Sequence, residues 1–206
     1  MAANTTGTKK TSTRDRILDA AARIVARHGV AAATTKRIAA DAKLSEGSLY
    51  NYFGDKPELL IALVLERMPS VRTIFQDLQN ESLPIAARLT AAVAALIEFY
   101  RHTQPMVSGI ISDPDLLRLC RKRFIESGQG PHLAHEKLAA ILRAEQSRGQ
   151  IRAEAKPEIV AALLIGACTE YASLNAMTAR SPALTDKEYA AAVVHALAPA
   201  IFPERP

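Results

Sequence analysis

The sequence predicts an all-α fold. Apolar residues recur at intervals of three and four positions along most of the chain, whereas the period-two alternation of half-buried strands is absent. Alanine is frequent and only 5% of the 206 residues are aromatic, a composition that favours helices over sheets. With 49% hydrophobic and 23% charged residues, the chain has the composition of a globular protein with a buried core.

The amino-terminal third carries clear helix start signals. Residues 1–11 are small, polar and basic, and we expect them to form a disordered arm. A first helix is expected to begin at Ser12, with Asp15 as its capping-box partner, and to end at Gly29 with a positive φ. Three further N-caps are expected at Thr34, Ser45 and Asp55, opening helices over 35–42, over 46–52 and from 56 to a stop at Pro69.

The sequence after Pro69 predicts longer helices. Their boundaries follow from Pro and Gly positions and from apolar periodicity. We expect helices over Pro84–His102, a short segment around Pro105–Ile111, Asp113–Ser127, Pro131–Ser147, Pro157–Thr178 and Asp186–Ala198.

Charge is concentrated at the amino terminus. The net charge is +5, and residues 1–60 hold ten Lys and Arg against six Asp and Glu, whereas residues 61–206 hold sixteen against fifteen. A basic segment joined to a near-neutral one suggests a polyanionic partner for the first only.

The cysteine pattern and the termini indicate the cellular compartment. Cys120 and Cys168 lie far apart within helical patterns, so we expect buried free thiols rather than a disulfide. The first residues lack the apolar region of a secretory signal, and no uninterrupted apolar run reaches the length of a membrane span. We therefore expect a cytoplasmic protein.

Two short helices joined by a tight turn, Thr35–Ala42 and Glu46–Tyr52, form a helix-turn-helix signature. The second helix of such a motif presents its amino-terminal end to base edges in the major groove of DNA. Ala39 is small enough to let the two helices cross closely. These features predict a DNA-binding motif over residues 34–53.

The segment TTKRIAADAKLSEGSLYNYFGDKPELL, Thr34–Leu60, resembles the DNA-binding segment of the tetracycline-repressor (TetR) family. The resemblance covers about residues 12–68. The residues that match the family pattern are Thr35, Ile38, Ala39, Ala42, Ser45, Gly47, Leu49, Tyr50, Tyr52, Phe53, Lys56 and Leu59. Lys43-Leu44 replace the usual Gly-Val of the turn, and a left-handed conformation at Lys43 would cost about 1 kcal/mol. The lysine would also place a cation close to where the DNA phosphates should run.

The resemblance implies an organisation into domains. Residues 12–56 would form a three-helix helix-turn-helix domain, and residues 57–206 a larger helical domain for effector binding and dimerisation. The last two long helices would pair with their copies in a second subunit to give a homodimer. An intrachain core is the alternative use of their apolar, alanine-rich faces.

The resemblance also implies DNA-contacting residues: Thr35, Lys36, Ser45, Glu46, Gly47, Ser48, Tyr50, Asn51 and Lys56. Lys56, at a helix start where the dipole disfavours a cation, is expected to bind a phosphate. Of Tyr50 and Tyr52, we expect Tyr50 to contact phosphate and the other to pack. Asn51 either binds adenine or is solvated. Lys9, Lys10 and Arg14 either add nonspecific phosphate contacts or belong to a solvated tail.

An effector pocket is expected between the central helices. It would be mostly apolar and suited to an apolar or amphipathic small molecule, although each of these side chains also fits an ordinary core. Its candidate lining residues are Phe75, Phe99, Tyr100, Met106, Phe124, Tyr171, Asn175 and Met177.

Neither a metal nor a cofactor is expected. His132, His135 and Glu136 have a helical spacing that could hold one metal ion, but an exposed helix start explains them equally well. The sequence lacks Cys-x-x-Cys, nucleophile-elbow, phosphate-loop and paired-carboxylate motifs, so we do not expect an enzyme.

The sequence therefore predicts a ligand-responsive transcriptional regulator. The expected form is a homodimeric repressor that binds a palindromic operator and is released by a small molecule, through a shift of the fourth helix as in the family. One alternative is a DNA-binding activator, or a nonspecific DNA-binding protein, with a purely structural carboxy-terminal bundle. Another is an all-α small-molecule binding protein or enzyme whose first helices contact proteins.

Overall fold

The computed structural model describes residues 12–67, 71–178 and 183–203, and these ranges contain helices but no strand. The predicted all-α class is therefore confirmed. The helices are α1 (Thr13–His28), α2 (Thr35–Asp41), α3 (Glu46–Tyr50), α4 (Lys56–Arg67), α5 (Val71–Ile74), α6 (Ile85–Ser112), α7 (Pro114–Ser127), α8 (His132–Ser147), α9 (Pro157–Thr178) and α10 (Asp186–Ile201), with a 3-10 turn at Asp77–Gln79. The predicted disordered arm, with Lys9 and Lys10, lies outside the described residues.

The predicted caps of the first helices are present. Ser12 and Asp15 form the reciprocal capping box of α1, and Gly29 ends that helix at φ +76°. Asp55 accepts a hydrogen bond from the Glu58 amide at 2.7 Å, and the Glu58 carboxylate accepts one from the Gly54 amide at 2.8 Å. The second half of that box therefore closes one residue earlier than expected.

The prediction of two helices around Pro105 is wrong. Helix α6 continues through Pro105 as one element of 28 residues. Proline lacks the amide hydrogen that would bond the carbonyl of Arg101, which predicts a break. Burial on both sides of Pro105 offsets that loss, because Leu96 and Ile97 before it and Met106 and Ile110 after it are all buried. Helix α10 likewise continues through Pro199 to Ile201, beyond the predicted end at Ala198.

The chain divides into two compact units. The first takes the described residues up to 67 together with Pro105–Cys120, and the second takes the remaining described residues. In the first unit, α1 packs against α2 and α4, and α2 packs against α3. Gly109 is required there, because a Cβ at this position would lie 2.4 Å from Cβ of Val30.

The second unit is built around α6, α8, α9 and α10. Its apolar core is crossed by one buried ion pair, in which Arg88 donates to both carboxylate oxygens of Glu145 at 3.1 and 3.0 Å and to the carbonyls of Leu78 and Leu83. Burial raises the pKa of Glu145, but the hydrogen bonds and charge of Arg88, with those of Arg148, more than offset this and leave that pKa below its usual value. The pair is therefore fully satisfied and structural.

Helices α9 and α10 are joined by stacked tyrosines. The rings of Tyr171 and Tyr189 lie 3.9 Å apart, and their hydroxyls donate to the carbonyls of Leu184 and Ala167. Helix α9 is the one described helix long and apolar enough to cross a membrane. This is weak evidence for a span, because core helices of soluble proteins meet the same criterion.

The two cysteines are free and buried, as expected. Burial raises the pKa of the Cys120 thiol, and it raises that of Cys168 to about 12. Burial therefore favours the protonated thiol at both positions and disfavours the thiolate, which is the reactive form.

Candidate nucleic-acid interface

Helices α2 and α3 form the predicted helix-turn-helix, and each begins with a hydroxyl cap. Thr34 Oγ1 accepts from the Arg37 amide at 3.2 Å, and Ser45 Oγ accepts from the Ser48 amide at 3.1 Å. The helices pack through the buried Ile38, Ala39 and Leu49. Helix α3 ends at Tyr50, two residues before the predicted end, because the Asn51 and Tyr52 amides bond Leu49 in a turn rather than continuing the helical ladder.

The turn between these helices contains Lys43 in an unusual backbone conformation. This residue has φ +56°, the left-handed conformation expected from the family's glycine at this position. The amide of Leu44 donates to the carbonyl of Ala39 at 2.9 Å, which closes the turn. From α1, the guanidinium of Arg16 donates to the carbonyl of Ala42, the C-cap residue of α2. The turn is therefore anchored to α1 as well as to its own helices.

Arg16 was not predicted to be a residue of the motif. The contact with Ala42 joins residues 26 positions apart, and local periodicity carries no signal for it. A positive residue placed against the carbonyls that end a helix is favourable both as a hydrogen bond and toward the helix dipole.

The predicted DNA-contacting residues lie on the surface of the first unit. Lys36, Ser45, Gly47, Tyr50 and Asn51 are exposed, and a Cβ at Gly47 would meet no atom within 4 Å. The remaining predicted contacts are half-buried: Thr35, Glu46, Ser48 and Lys56. Exposed backbone at Gly47 leaves room for close approach of another molecule.

The expected division of roles between Tyr50 and Tyr52 does not appear in their burial. Their side chains are 48% and 44% exposed. Neither ring is part of the core, so both hydroxyls are available to a partner. The buried aromatic side chain of this segment is that of the next residue, Phe53.

Thr35 and Glu46 are joined across the start of the two motif helices. The hydroxyl of Thr35 donates to Oε1 of Glu46. A threonine hydroxyl has one hydrogen to donate, so in this arrangement Thr35 cannot also donate to a phosphate. The phosphate contact expected of the Thr35 hydroxyl would require this bond to break.

The cations of the first unit separate into two groups. Arg14 pairs with Glu66, Arg23 with Asp41, and Arg67 with Asp15 and Asp19. Six cations of residues 12–67 form no ion pair with any other described residue. Arg16 and Arg27 lie on α1, and the other four lie in the motif or at its edge: Lys36, Arg37, Lys43 and Lys56. The unneutralised positive charge is therefore concentrated on the helix-turn-helix.

Of these four cations, Arg37 was not predicted to lie near DNA, and Lys43 was predicted only to place a cation near the phosphates. Arg37 is exposed in the first turn of α2, and Lys43 is exposed at the turn. Neither residue has a nearby acidic partner in the described part of the fold. This property marks them as free charges, and it cannot be read from the sequence alone. Arg14, in contrast, was expected to contact DNA phosphates or to belong to a solvated tail. It instead forms an ion pair with Glu66, and its guanidinium lies 5.0 Å from the ring centre of Phe53.

Hydrogen bonds favour the ionised form of two carboxylates on α1 and α4. Hydrogen bonds from Ser12, and then from Arg67, lower the pKa of Asp15 to about 2. The bond from Arg14 lowers the pKa of Glu66. These ion pairs remove Asp15, Asp19 and Glu66 from competition for the cations of the motif.

The residues expected to line an effector pocket do not form one group. Phe75 and Tyr171 are buried in the core of the second unit, and the partly buried Phe99 and Tyr100 pack against that core. Met106 is buried in the first unit. Phe124 and Asn175 are half-buried, and Met177 is 84% exposed.

Tyr100 is a predicted pocket residue whose polar group is unused. Within the described part of the chain its hydroxyl forms no hydrogen bond, and burial raises the pKa of this hydroxyl to about 12. Its ring packs edge-on against Phe99 at 5.2 Å.

His132, His135 and Glu136 are exposed at the start of α8. Among the described residues, no group of three or more His, Cys, Asp or Glu side chains is placed to hold a metal ion.

Comparison with known sequences identifies the amino-terminal segment. The family model of bacterial regulatory proteins of the tetR family matches residues 17–63. The HTH-type transcriptional repressor AcnR of Corynebacterium efficiens is 39% identical over 61 residues, or 30% of this chain and 32% of the relative. The HTH-type transcriptional repressor SCO4008 of Streptomyces coelicolor is 40% identical over 57 residues, or 28% and 30% of the two chains. The matches span about a third of the length of these relatives.

Solved structures share the fold over almost the whole chain. A Mesorhizobium loti protein assigned to the TetR family covers 95% of this chain and 100% of its own, with a TM-score of 0.75 and 20% identity. Salmonella enterica GusR covers 94% and 97%, with a TM-score of 0.67 and 24% identity. FadR from Bacillus subtilis, solved with stearoyl-CoA, covers 88% and 96%, with a TM-score of 0.66 and 18% identity.

Proposed function

We propose that the whole chain, in which residues 17–63 match the family model of bacterial regulatory proteins of the tetR family, is a DNA-binding transcriptional repressor controlled by a small molecule. The observation that carries the proposal is the charge distribution: every described carboxylate of residues 12–67 is already bonded, whereas the cations of the helix-turn-helix are not. Phosphates of a DNA duplex are the partner that such a surface would attract.

The residues divide by the part of the duplex they would contact. Ser45, Glu46, Gly47, Ser48, Tyr50 and Asn51, in and around α3, would face the major groove. Lys36, Lys43 and Lys56 would bind phosphates on either side, as the sequence suggests, and so would Arg37, which the structure adds. Residues 12–56 would form the DNA-binding domain and residues 57–206 the effector-binding and dimerisation domain.

Dimerisation through α9 and α10 is the second part of the proposal. In the isolated chain one side of α9 leaves large apolar side chains exposed: Ile159 at 56%, Leu163 at 52%, Leu174 at 50% and Met177 at 84%. On α10 the exposed residues include Ala191, Ala192 and Ala196, which would allow close helix approach. A second copy would cover these faces and deliver two α3 helices to one duplex, one helical turn apart.

The effector would be an apolar or amphipathic molecule. Support comes from FadR of Bacillus subtilis, which shares the fold and was solved with stearoyl-CoA. In this chain Phe75, Phe99, Tyr100 and Tyr171 lie in or against one core, and Tyr100 has a free hydroxyl to orient a ligand. Thermal unfolding with saturated fatty acids and their coenzyme A esters tests this, because a ligand raises the midpoint by mass action.

The DNA-binding function is tested by equilibrium binding to a random duplex library at two salt concentrations. We expect an inverted repeat to be enriched and bound at least about a thousandfold more tightly than random DNA. Equal affinity for all duplexes would support the nonspecific alternative, and no binding at low salt would overturn the proposal.

A further inference from the structure

One carboxylate on the helix-turn-helix surface has no cationic partner. The motif contains two acidic residues, and Asp41 is bonded twice by Arg23. Glu46, the first residue of α3, is bonded by the neutral hydroxyl of Thr35, and among the described residues it forms no ion pair. Its negative charge therefore remains uncompensated on a surface whose unpaired charges are otherwise positive.

The bond to Thr35 fixes how Glu46 can act. The Thr35 hydroxyl occupies Oε1 of the half-buried side chain, which holds the carboxylate in one orientation. Oε2 and the remaining lone pairs of Oε1 are left to accept further hydrogen bonds. An ionised carboxylate has no hydrogen to donate, so its partner must be a donor.

A carboxylate facing DNA is repelled by the phosphates unless a base offers it a hydrogen. In the major groove the two amino groups that can do so are N4 of cytosine and N6 of adenine. Beside N6, adenine presents the acceptor N7, which repels a carboxylate. The chemistry of the groove therefore favours cytosine as the partner of a rigidly held glutamate.

We propose that Glu46 is a specificity-determining residue that accepts a hydrogen bond from the N4 amino group of one cytosine in each half-site, and that Thr35 positions it. This rests on the proposed DNA-binding function. It assigns a base to a residue that would otherwise only weaken binding.

The test is selection from a random duplex library with the wild-type protein, with Glu46→Gln, and with the charge-matched control Glu136→Gln, whose residue is exposed on α8. We expect the wild type and the control to enrich the same cytosine. Glu46→Gln should reduce the preference for that cytosine by roughly tenfold. It should also bind random duplexes more tightly, because a repulsive charge has been removed. Circular dichroism of each variant verifies that its helices are intact.

The outcomes separate this inference from the proposed function. If the wild type enriches no sequence, the proposed function fails and this inference with it. If the wild type enriches a sequence and Glu46→Gln enriches the same one with the same preferences, only the assignment of Glu46 is overturned. A uniform loss of affinity in Glu46→Gln, with unchanged preference, would also overturn it.

The role of Thr35 is tested by Thr35→Val, which keeps the branched shape and removes the hydroxyl. We expect the same base pair to lose preference, and the double variant with Glu46→Gln to lose no more than Glu46→Gln alone. A loss of affinity spread evenly over all sequences, or additive effects in the double variant, would show that Thr35 does not act through Glu46.

Discussion

Lys43 is held in a conformation that favours glycine. Its φ of +56° costs a side-chain-bearing residue about 1 kcal/mol, and the Arg16 bond to the preceding carbonyl helps to maintain the turn. The lysine is exposed and unpaired among the described residues, so it offers a charge that glycine would not. In the proposed complex with DNA, the residue would therefore exchange some stability for a phosphate contact.

Lys43→Gly should consequently move stability and binding in opposite directions. We expect the free energy of unfolding to rise by up to about 1 kcal/mol, because the strain is removed. Affinity for all duplexes should fall together, because a cation is lost. Urea denaturation and a DNA titration measure the two effects, and a variant that binds as well as the wild type would show that Lys43 does not contact phosphate.

Lys56 begins α4 at a position where the helix dipole disfavours a cation. Lys56→Ala should weaken binding to all sequences about equally and reduce the slope of log affinity against log salt by about one unit. Lys137→Ala, at an exposed lysine of α8, is the matched control and should change neither quantity. A change in base preference in Lys56→Ala would contradict the assignment to phosphate.

At the scale of elements, the crossing of α2 and α3 depends on a small residue. Ala39 is 2% exposed, and its neighbour Ala40 is exposed on the same helix. Ala39→Leu should lower the free energy of unfolding by about 1–3 kcal/mol through overpacking, whereas Ala40→Leu should change it by less than about 0.5 kcal/mol. Thermal unfolding of the pair measures the difference, and equal stability of the two variants would contradict the proposed crossing.

The ion pairs between α1 and α4 make the free energy of unfolding depend on pH. Asp15 has a pKa of about 2 in the folded chain, against 3.8 ordinarily, and the pKa of Glu66 is also lowered. Carboxylates with depressed pKa values stabilise the fold above their ordinary pKa, and this contribution is lost as pH falls through the folded value. Stability should therefore decrease from about pH 5 toward pH 2.

Arg67→Met tests this linkage, because Arg67 bonds both Asp15 and Asp19. The variant should unfold at a lower temperature than the wild type at pH 7, and the difference should shrink toward pH 2 as the carboxylates take up protons. A difference that is independent of pH would mean that Arg67 contributes through packing alone.

Local signals in the sequence predicted the elements of the motif well. The caps Ser12, Thr34, Ser45 and Asp55 are chemically distinctive, and each is found at a helix start. The continuity of α6 through Pro105 could not be predicted, because it depends on burial on both sides of the proline. The bonds Arg16–Ala42 and Thr35–Glu46, and the pairing of Arg14, join separate helices and have no local pattern.

At the scale of the whole molecule, the proposed function requires two copies. Leu163 is 52% exposed on α9, within the face that a second copy would cover, whereas Ile125 is 82% exposed on α7. Leu163→Glu should shift the protein from dimer to monomer in sedimentation at micromolar concentration and weaken specific DNA binding, since a buried unpaired charge is costly. Ile125→Glu should remain dimeric, and a Leu163→Glu dimer as stable as the wild type would place the interface elsewhere.

The proposed function requires that α3 enter the major groove of DNA twice, once from each subunit. The most direct measurement attaches an iron–EDTA cleavage reagent to Asn51→Cys, whose position is exposed while both native thiols are buried. On a selected duplex we predict two clusters of strand cuts, centred in major grooves about 34 Å apart. A single cluster, or cuts spread evenly along the duplex, would show that α3 does not enter the major groove from both subunits.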